Sequence, residues 1–296
     1  MARSTQTHWL VRAAGLGLSV LALLTGCGPA AAPGSDSVRA GTGSGDAAGK
    51  GPWNLIGSWL LDADGERTGT VLRLGKGDLS LWRNCGALFG SWRADENALF
   101  VGDVYGWSGS CDNTSPETPT WLIAAVGFVI TDDGASLLDV DGHVVARLRP
   151  GGRPTAPPNS DPSMAEPPRL TERVRRAFQP AEPLPAGLAA AEAGSLVGAW
   201  SPVEDSYAAE RQQPVRLEIK ADGSYLGFDG CSRLGGRWVA GDEGAVLATT
   251  SLSTLFGCKN GIVGDWFAHA HRAGFDNDVL VLLDRNGHET GRLRRG

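Results

Sequence analysis

The chain has 296 residues and a formal net charge of −6, with 27 Lys and Arg against 33 Asp and Glu. This acidic balance argues against nucleic acid as a partner, because binding to a phosphate backbone needs a basic surface. Five cysteines are present. One lies near the amino terminus and the other four lie in the body of the chain, so we consider them separately.

Residues 1–26 have the plan of a signal peptide. Arg3 and Arg12 precede or flank the apolar run 13–24, and no acidic residue occurs in this segment. As a helix the run would span about 18 Å, short of the roughly 30 Å hydrocarbon core, so a permanent membrane span is not expected. Cleavage before Cys27 would remove two basic residues and no acidic one, and the mature chain would be still more acidic.

The run Leu24-Thr25-Gly26-Cys27 resembles the lipobox of bacterial lipoproteins, in which the cysteine is acylated and becomes the new first residue. The resemblance implies a diacylglyceryl anchor on Cys27 and a location on the extracytoplasmic face of the cell membrane. Two acyl chains are enough for stable anchoring, whereas one gives only marginal binding. The alternative is an ordinary secretory signal with a chance cysteine. Residues 27–52, rich in Gly, Ala and Ser, are predicted to form a flexible linker reaching roughly 25–30 Å.

The body of the chain contains an internal duplication. The pattern Cys-x-x-Leu-x-Gly-x-Trp at 85–92 recurs at 231–238, and the pattern at 137–149 recurs at 282–294. Matches in the same order and at a nearly constant offset indicate a repeated unit. We therefore predict two domains, 53–150 and 194–296, each of a usual domain size.

The segment 151–193 is predicted to be a linker stiffened by proline, because more than half of the 17 prolines lie in it or at its start. Leu170, Val174 and Phe178 follow one another at four-residue spacing among several arginines. This spacing favours a short amphipathic helix. It would be either a basic docking helix for a membrane or partner, or a short helix resting on a neighbouring domain.

Each repeat is predicted to be mainly β with one short helix. Val215, Leu217 and Ile219 alternate with charged residues ahead of a turn, which is typical of a hairpin with one buried face. After the second cysteine of each repeat the hydrophobic period lengthens to that of a helix. Two closing strands then follow across 141–142 and 286–287, which are favoured hairpin turn pairs. We predict two tandem small β-meander or barrel-like domains.

Four cysteines remain after Cys27, an even number, and outside the cytoplasm such sets are usually oxidised. More than one pairing is possible in principle. One of these pairings keeps both bonds inside the repeats. The four residues are Cys85, Cys111, Cys231 and Cys258.

The second repeat contains, in this order, Trp200, Gly230-Cys231-Ser232, Thr254 to Cys258 and Leu283-Asp284-x-x-Gly287. Through these residues it resembles the META domain found in exported bacterial lipoproteins of the heat-shock protein HslJ type. The first repeat matches less well, because Asn84-Cys85-Gly86 replaces the Gly-Cys-Asn order of the family. The resemblance implies a compact β-rich fold like a small lipocalin-type barrel, without an established catalytic activity. It also implies the pairing of Cys85 with Cys111 and of Cys231 with Cys258.

Nothing in the chain forms a recognised catalytic set, so we expect no enzyme activity, no cofactor and no metal site. His269 and His271 are close in sequence, but Trp266 and Phe267 favour a helix, on which positions two apart point about 200° apart. On a strand the two rings would share a face, and metal binding is the alternative interpretation. His143 and His288 follow turn glycines at matching positions. They would form an anion site, or else be strand residues inherited with the fold.

Tryptophan is unusually frequent in this chain, with ten residues. Trp59, Trp92 and Trp121 in the first repeat have counterparts in the second and are expected in the core. Trp82 and Trp107 lack counterparts, which makes them candidates for an exposed ligand-binding surface on the first domain, with simple packing as the alternative.

These observations favour a lipid-anchored, non-catalytic cell-envelope protein that binds an envelope protein or a small ligand, or supports envelope stress tolerance. Two other functions stay open. Disulfide-bonded β domains present rigid loops well, as an inhibitor of secreted hydrolases would need. An enzyme with an unrecognised site is the third hypothesis.

Overall fold

The structure is a computed structural model, and it describes residues 51–109, 117–155, 162–204, 213–230, 232–251 and 263–296. All of them belong to one compact unit, Asp46–Gly296. The predicted signal peptide, Cys27 and most of the first linker lie outside the described residues, as do Cys111, Cys231 and Cys258. Their predicted roles stay predictions.

The first repeat folds into one antiparallel sheet of eight strands, which we call sheet 1. The strand order is β5-β4-β3-β2-β1-β8-β7-β6, and a short helix, α1 (Thr120–Ala124), lies between β5 and β6 in the chain. The strands are β1 (Gly57–Ala63), β2 (Val71–Leu74), β3 (Asp78–Arg83), β4 (Gly86–Ala94), β5 (Phe100–Gly109), β6 (Gly127–Thr131), β7 (Gly134–Leu138) and β8 (Val144–Pro150).

The second repeat forms sheet 2, with the order β14-β13-β12-β11-β10-β17-β16-β15-β9. Ahead of it the connecting segment contains α2 (Glu172–Arg176) and α3 (Ala193–Leu196), and α4 (Val263–His269) precedes β15. The strands are β9 (Ala189–Ala190), β10 (Gly198–Pro202), β11 (Arg216–Ile219), β12 (Ser224–Phe228), β13 (Arg233–Ala240), β14 (Val246–Ala248), β15 (Arg272–Asp276), β16 (Val279–Leu283) and β17 (Glu289–Arg295).

Apart from β9, the two sheets share one topology of five strands, a helix and three strands. Each sheet curls until its two edges meet at an isolated bridge, Leu99 with Gly127 in sheet 1 and Ala245 with Arg272 in sheet 2. Among the described residues, neither sheet closes into a continuous ladder. The prediction of a mainly-β fold with short helices is confirmed.

Duplicated tryptophans explain why the two repeats fold alike. The indole N–H of Trp59 donates to Leu55 O and that of Trp200 to Leu196 O, both at 2.8 Å. In the same way Trp92 donates to Gly75 O at 2.9 Å, in the turn between β2 and β3. A buried indole N–H needs such an acceptor, so each ring fixes a chain entry or a hairpin turn while filling the core.

The glycine of the repeated cysteine pattern is required by a close approach of backbone. A Cβ atom on Gly90 would lie 1.8 Å from Asp103 O on β5, and one on Gly236 would lie 2.6 Å from Thr249 O. Both distances are below any real carbon–oxygen contact. Glycine at this position therefore permits the next strand to pair closely.

The connecting segment packs against sheet 1. Phe178, which follows α2, is only 6% exposed and lies in the core of sheet 1. Its ring stacks on Trp92 with centroids 5.6 Å apart. Of the two interpretations of the amphipathic spacing, the described contacts match the short helix that rests on a neighbouring domain.

The two sheets also contact each other directly. Val101 of sheet 1 and Val239 and Leu247 of sheet 2 form a small separate core. Beside it, Ser91 Oγ donates to Thr250 O at 2.8 Å and accepts from Thr250 N at 3.1 Å. These contacts hold the end of β4 next to the residues that follow β14, and the space beside them forms the cavity described below.

Candidate functional site

The two tryptophans predicted to form an exposed surface lie in different environments. Trp107, in β5, is 49% exposed. Trp82 is 5% exposed, covered by Ala165 of the connecting segment, and its indole N–H donates to Ser80 Oγ at 3.0 Å. The structure corrects the prediction for Trp82, because a side chain buried in this way cannot contribute to an exposed binding surface.

The predicted cysteine pairs can be followed only at Cys85, which lies in the turn between β3 and β4. Gly86, which follows it, pairs with Gly109 across β4 and β5. This register brings the chain two residues before Cys111 next to Cys85. The pairings of Cys85 with Cys111 and of Cys231 with Cys258 stay predictions, since the three other cysteines lie outside the described residues.

The duplicated histidines lie in matching turns that are capped by Asp139 and Asp284. Asp139 Oδ1 accepts the backbone N–H of His143 at 2.8 Å, and Asp284 Oδ1 accepts that of His288 at 2.9 Å. Each ring Nδ1 lies 3.4 Å from the other oxygen of the same carboxylate. The side chains are exposed, and this arrangement supports the interpretation that they were inherited with the fold.

A cavity of about 620 Å³ lies between the two sheets and the connecting segment. Its lining combines the β2–β3 turn and the end of β4 from sheet 1, the residues after α2, and the ends of β14, α4 and β16 from sheet 2. The residues are Lys76, Gly77, Ser91, Trp92, Arg93, Ala94, Arg176, Ala177, Phe178, Ala248, Thr249, Thr250, Ala268, His269, His271, Arg285 and Asn286.

The charge of this lining is one-sided. It contains one lysine, three arginines and two histidines, and no Asp or Glu is among the described residues that line it. We call this space the basic cavity. A second cleft, of about 470 Å³, is different because Asp62, Asp64 and Asp139 line it together with Arg147.

Arg93 crosses from sheet 1 to sheet 2 at the basic cavity. Its Nη1 donates to Ala268 O and, at 3.4 Å, to Ala248 O. Desolvation, followed by the nearby charge of Arg285, lowers the pKa of Arg93 to about 10. The side chain stays protonated near neutral pH, so a positive charge is held here at a cost in solvation free energy.

Arg285 and His271 form the opposite wall. Arg285 Nη1 donates to Gln179 O at 2.6 Å, and Nη2 lies 3.2 Å from His271 Nε2. Burial lowers the pKa of His271 to about 2, with further lowering by Arg93 and Arg285. The imidazole is therefore neutral at physiological pH, and its Nε2 can accept the guanidinium N–H.

His269 differs from its neighbour two residues away. Its Nδ1 lies 3.2 Å from Asp265 Oδ1, and this contact raises its pKa. The ring is exposed at the end of α4, whereas His271 is partly buried against Arg285. Because the two rings have different partners, the described contacts favour separate structural roles over a shared metal.

Two acidic residues lie behind this wall. Glu96 Oε1 accepts from Arg272 Nη2 and from the backbone N–H of Ala181, both at 3.1 Å. Asp95 accepts the N–H groups of Asn97 and Leu99, both at 3.0 Å, and burial raises its pKa to about 6. Their charges favour protonated Arg285 without reaching the cavity lining.

Sequence reasoning missed the basic cavity. Its parts come from positions as distant as Lys76 and Asn286, and no local motif records that they meet. Arg93 directly follows the core residue Trp92 of the repeated pattern, but the corresponding position in the second repeat is Val239, which carries no charge and does not line the cavity. In the sequence, Arg93 is a single basic residue that belongs to no recognisable motif.

In the described part of the chain, no helix combines the length and the hydropathy that crossing a membrane requires. Comparisons of this chain with protein-family models, with curated proteins and with solved structures gave no match. The likeness to the META domain therefore stays a prediction from the residues of the second repeat.

Proposed function

We propose that the protein is a lipid-anchored, non-catalytic protein of the extracytoplasmic face of the cell membrane, and that its two META-like repeats bind a small ligand between them. The observation that carries the proposal is the basic cavity, which both sheets and the connecting segment line. Its volume of about 620 Å³ falls within the roughly 300–1,000 Å³ of small-molecule sites.

A binding role is supported by the chemistry of the lining. General acid–base or nucleophilic catalysis needs a titratable group free to exchange a proton near neutral pH. His271, with its pKa lowered to about 2 and its Nε2 next to Arg285, is poorly suited to that task. The described residues that line the cavity include no carboxylate, and the other histidine of the lining, His269, is paired with Asp265 at 3.2 Å.

The anchor is tested by mass spectrometry of the native protein. We expect a diacylglyceryl mass on Cys27, and a Cys27→Ala variant released into the soluble fraction. Unmodified wild-type protein that is freely soluble would contradict the anchor and leave only a secreted protein.

The ligand site is tested by native mass spectrometry of the full chain purified in a neutral detergent. We expect a small bound mass on the wild type that is lost in Thr250→Trp, which fills the cavity. Thr131→Trp, at an exposed position on β6 outside the cavity, is the matched control and should keep the mass. A mass retained equally by both variants, or absent from the wild type, would argue against the cavity as a ligand site.

A further inference from the structure

We infer that the ligand of the basic cavity is a small organic phosphate, whose phosphoryl group is bound between Arg93 and Arg285. The inference rests on the proposed ligand site and adds the chemical class of its ligand. It is carried by a cluster of cationic groups that both sheets hold around one space without an acidic group in the lining.

Among the described residues, Arg93 and Arg285 have no carboxylate hydrogen-bonded to them. The hydrogen bonds of Arg93 within the described residues run from Nη1 to two backbone carbonyls, and those of Arg285 run to a carbonyl and a neutral imidazole. Neither guanidinium has a carboxylate bonded to it among the described ion pairs, although both are partly buried. A guanidinium has five N–H donors, so both retain donors for an anion.

The positive charges of Arg93 and Arg285 repel each other across the basic cavity. Arg93 and Arg285 lie close enough that the charge of one lowers the pKa of the other, and both lower that of His271. Cations held together in this way destabilise the empty cavity. An anion placed between them would remove the repulsion and replace lost solvation with charge-assisted hydrogen bonds.

The number of positive charges around the basic cavity indicates the charge of its ligand. From behind the lining, Asp95 partly compensates both Arg93 and Arg285, and Glu96 partly compensates Arg285, but the rim residues Lys76 and Arg176 remain. The two rim side chains are exposed and form no hydrogen bond or ion pair that the described coordinates show. A phosphate monoester, with about −1.5 to −2 charge at pH 7, matches such a set better than a single carboxylate.

The volume and the apolar wall of the basic cavity indicate the size of its ligand. Trp92, Phe178 and Ala177 contribute an apolar wall on the same side as the connecting segment. Inorganic phosphate would leave this wall and most of the 620 Å³ unused. An organic group attached to the phosphate would cover the wall, in line with the usual mix of apolar lining and a few polar groups in ligand sites.

The test is isothermal titration calorimetry on the full chain in a neutral detergent with phenyl phosphate, phenol and inorganic phosphate as probes. We expect phenyl phosphate to bind most tightly, inorganic phosphate more weakly, and phenol at least about tenfold more weakly than phenyl phosphate, since charge-assisted bonds are lost. Added salt should weaken phenyl phosphate and leave phenol unchanged. Phenol binding as tightly as phenyl phosphate would overturn the inference.

Variants assign the effect to residues. Arg93→Gln and Arg285→Gln should each weaken phenyl phosphate at least about tenfold, while Arg149→Gln, an exposed arginine on β8 outside the cavity, should not. If Arg93→Gln fails to fold, the double variant Lys76→Gln, Arg176→Gln keeps the test, because both side chains are exposed. Unchanged affinity in that variant at low salt would count against the inference.

A second experiment, competition with lipid-doped micelles, distinguishes a lipid headgroup from a soluble phosphate. Micelles doped with phosphatidic acid, whose headgroup is a phosphate monoester, should compete with phenyl phosphate if a lipid headgroup is the ligand, whereas micelles doped with phosphatidylcholine should not. A lack of competition by phosphatidic acid assigns a soluble phosphate. Wild-type protein that carries a neutral or cationic mass, sensitive to Thr250→Trp, would refute the phosphate and leave the proposed ligand-binding function standing.

Discussion

Phe178→Ala tests whether the connecting segment is part of the fold of sheet 1. The ring is 6% exposed, stacks on Trp92 at 5.6 Å and belongs to the core that sheet 1 forms. Removing a buried phenyl ring costs about 3–5 kcal/mol through lost transfer free energy and the remaining void. Because Phe178 also borders the basic cavity, water can enter the space, and we expect about 3 kcal/mol.

The assay is urea-induced unfolding followed by tryptophan fluorescence, which reports the environments of the buried tryptophans, including Trp92. Leu170→Ala, in the same segment but 37% exposed, is the control, with an expected loss below about 1 kcal/mol. Equal losses for the two variants would show that the segment does not contribute to the core, and the reasoning from burial would fail.

Two further predictions concern buried carboxylates. Glu66, with a side chain 2% exposed, accepts from Arg83 at 2.6 and 2.9 Å and from Trp121 Nε1 at 3.0 Å. Glu66→Ala should therefore lower the free energy of unfolding by about 3–5 kcal/mol, and a loss below 1 kcal/mol in urea unfolding would contradict this. Burial raises the pKa of Asp95 to about 6, above its usual 3.8. The folded state thus binds this proton more tightly than the unfolded state, so its contribution to stability is full below about pH 3.8 and is lost as pH rises through about 6. At about 1.4 kcal/mol per pKa unit this is about 3 kcal/mol, which should disappear in Asp95→Asn; equal pH profiles for the two proteins would refute it.

The repeated fold was predictable because its causes are local. Alternating apolar residues, hairpin turn pairs and tryptophans at matching positions each act over a few residues, and the described sheets follow them. Gly90 and Gly236 stand in the pattern for the same reason, the approach of the neighbouring strand. Trp82 was misjudged because its cover, Ala165, comes from a segment whose proline content indicated only a linker.

Composition and pattern alone established a mainly-β chain with an internal duplication, and they predicted its export and anchoring. The burial of Phe178, the contact of Val101 with Val239 and the basic cavity were decided only by tertiary structure. The reason is physical. Hydrophobic periodicity reports which face of a strand is buried, but it contains no information about which distant surface buries it. Cations such as Arg93 and Arg285 become a site only when two sheets and a connecting segment close around the same space.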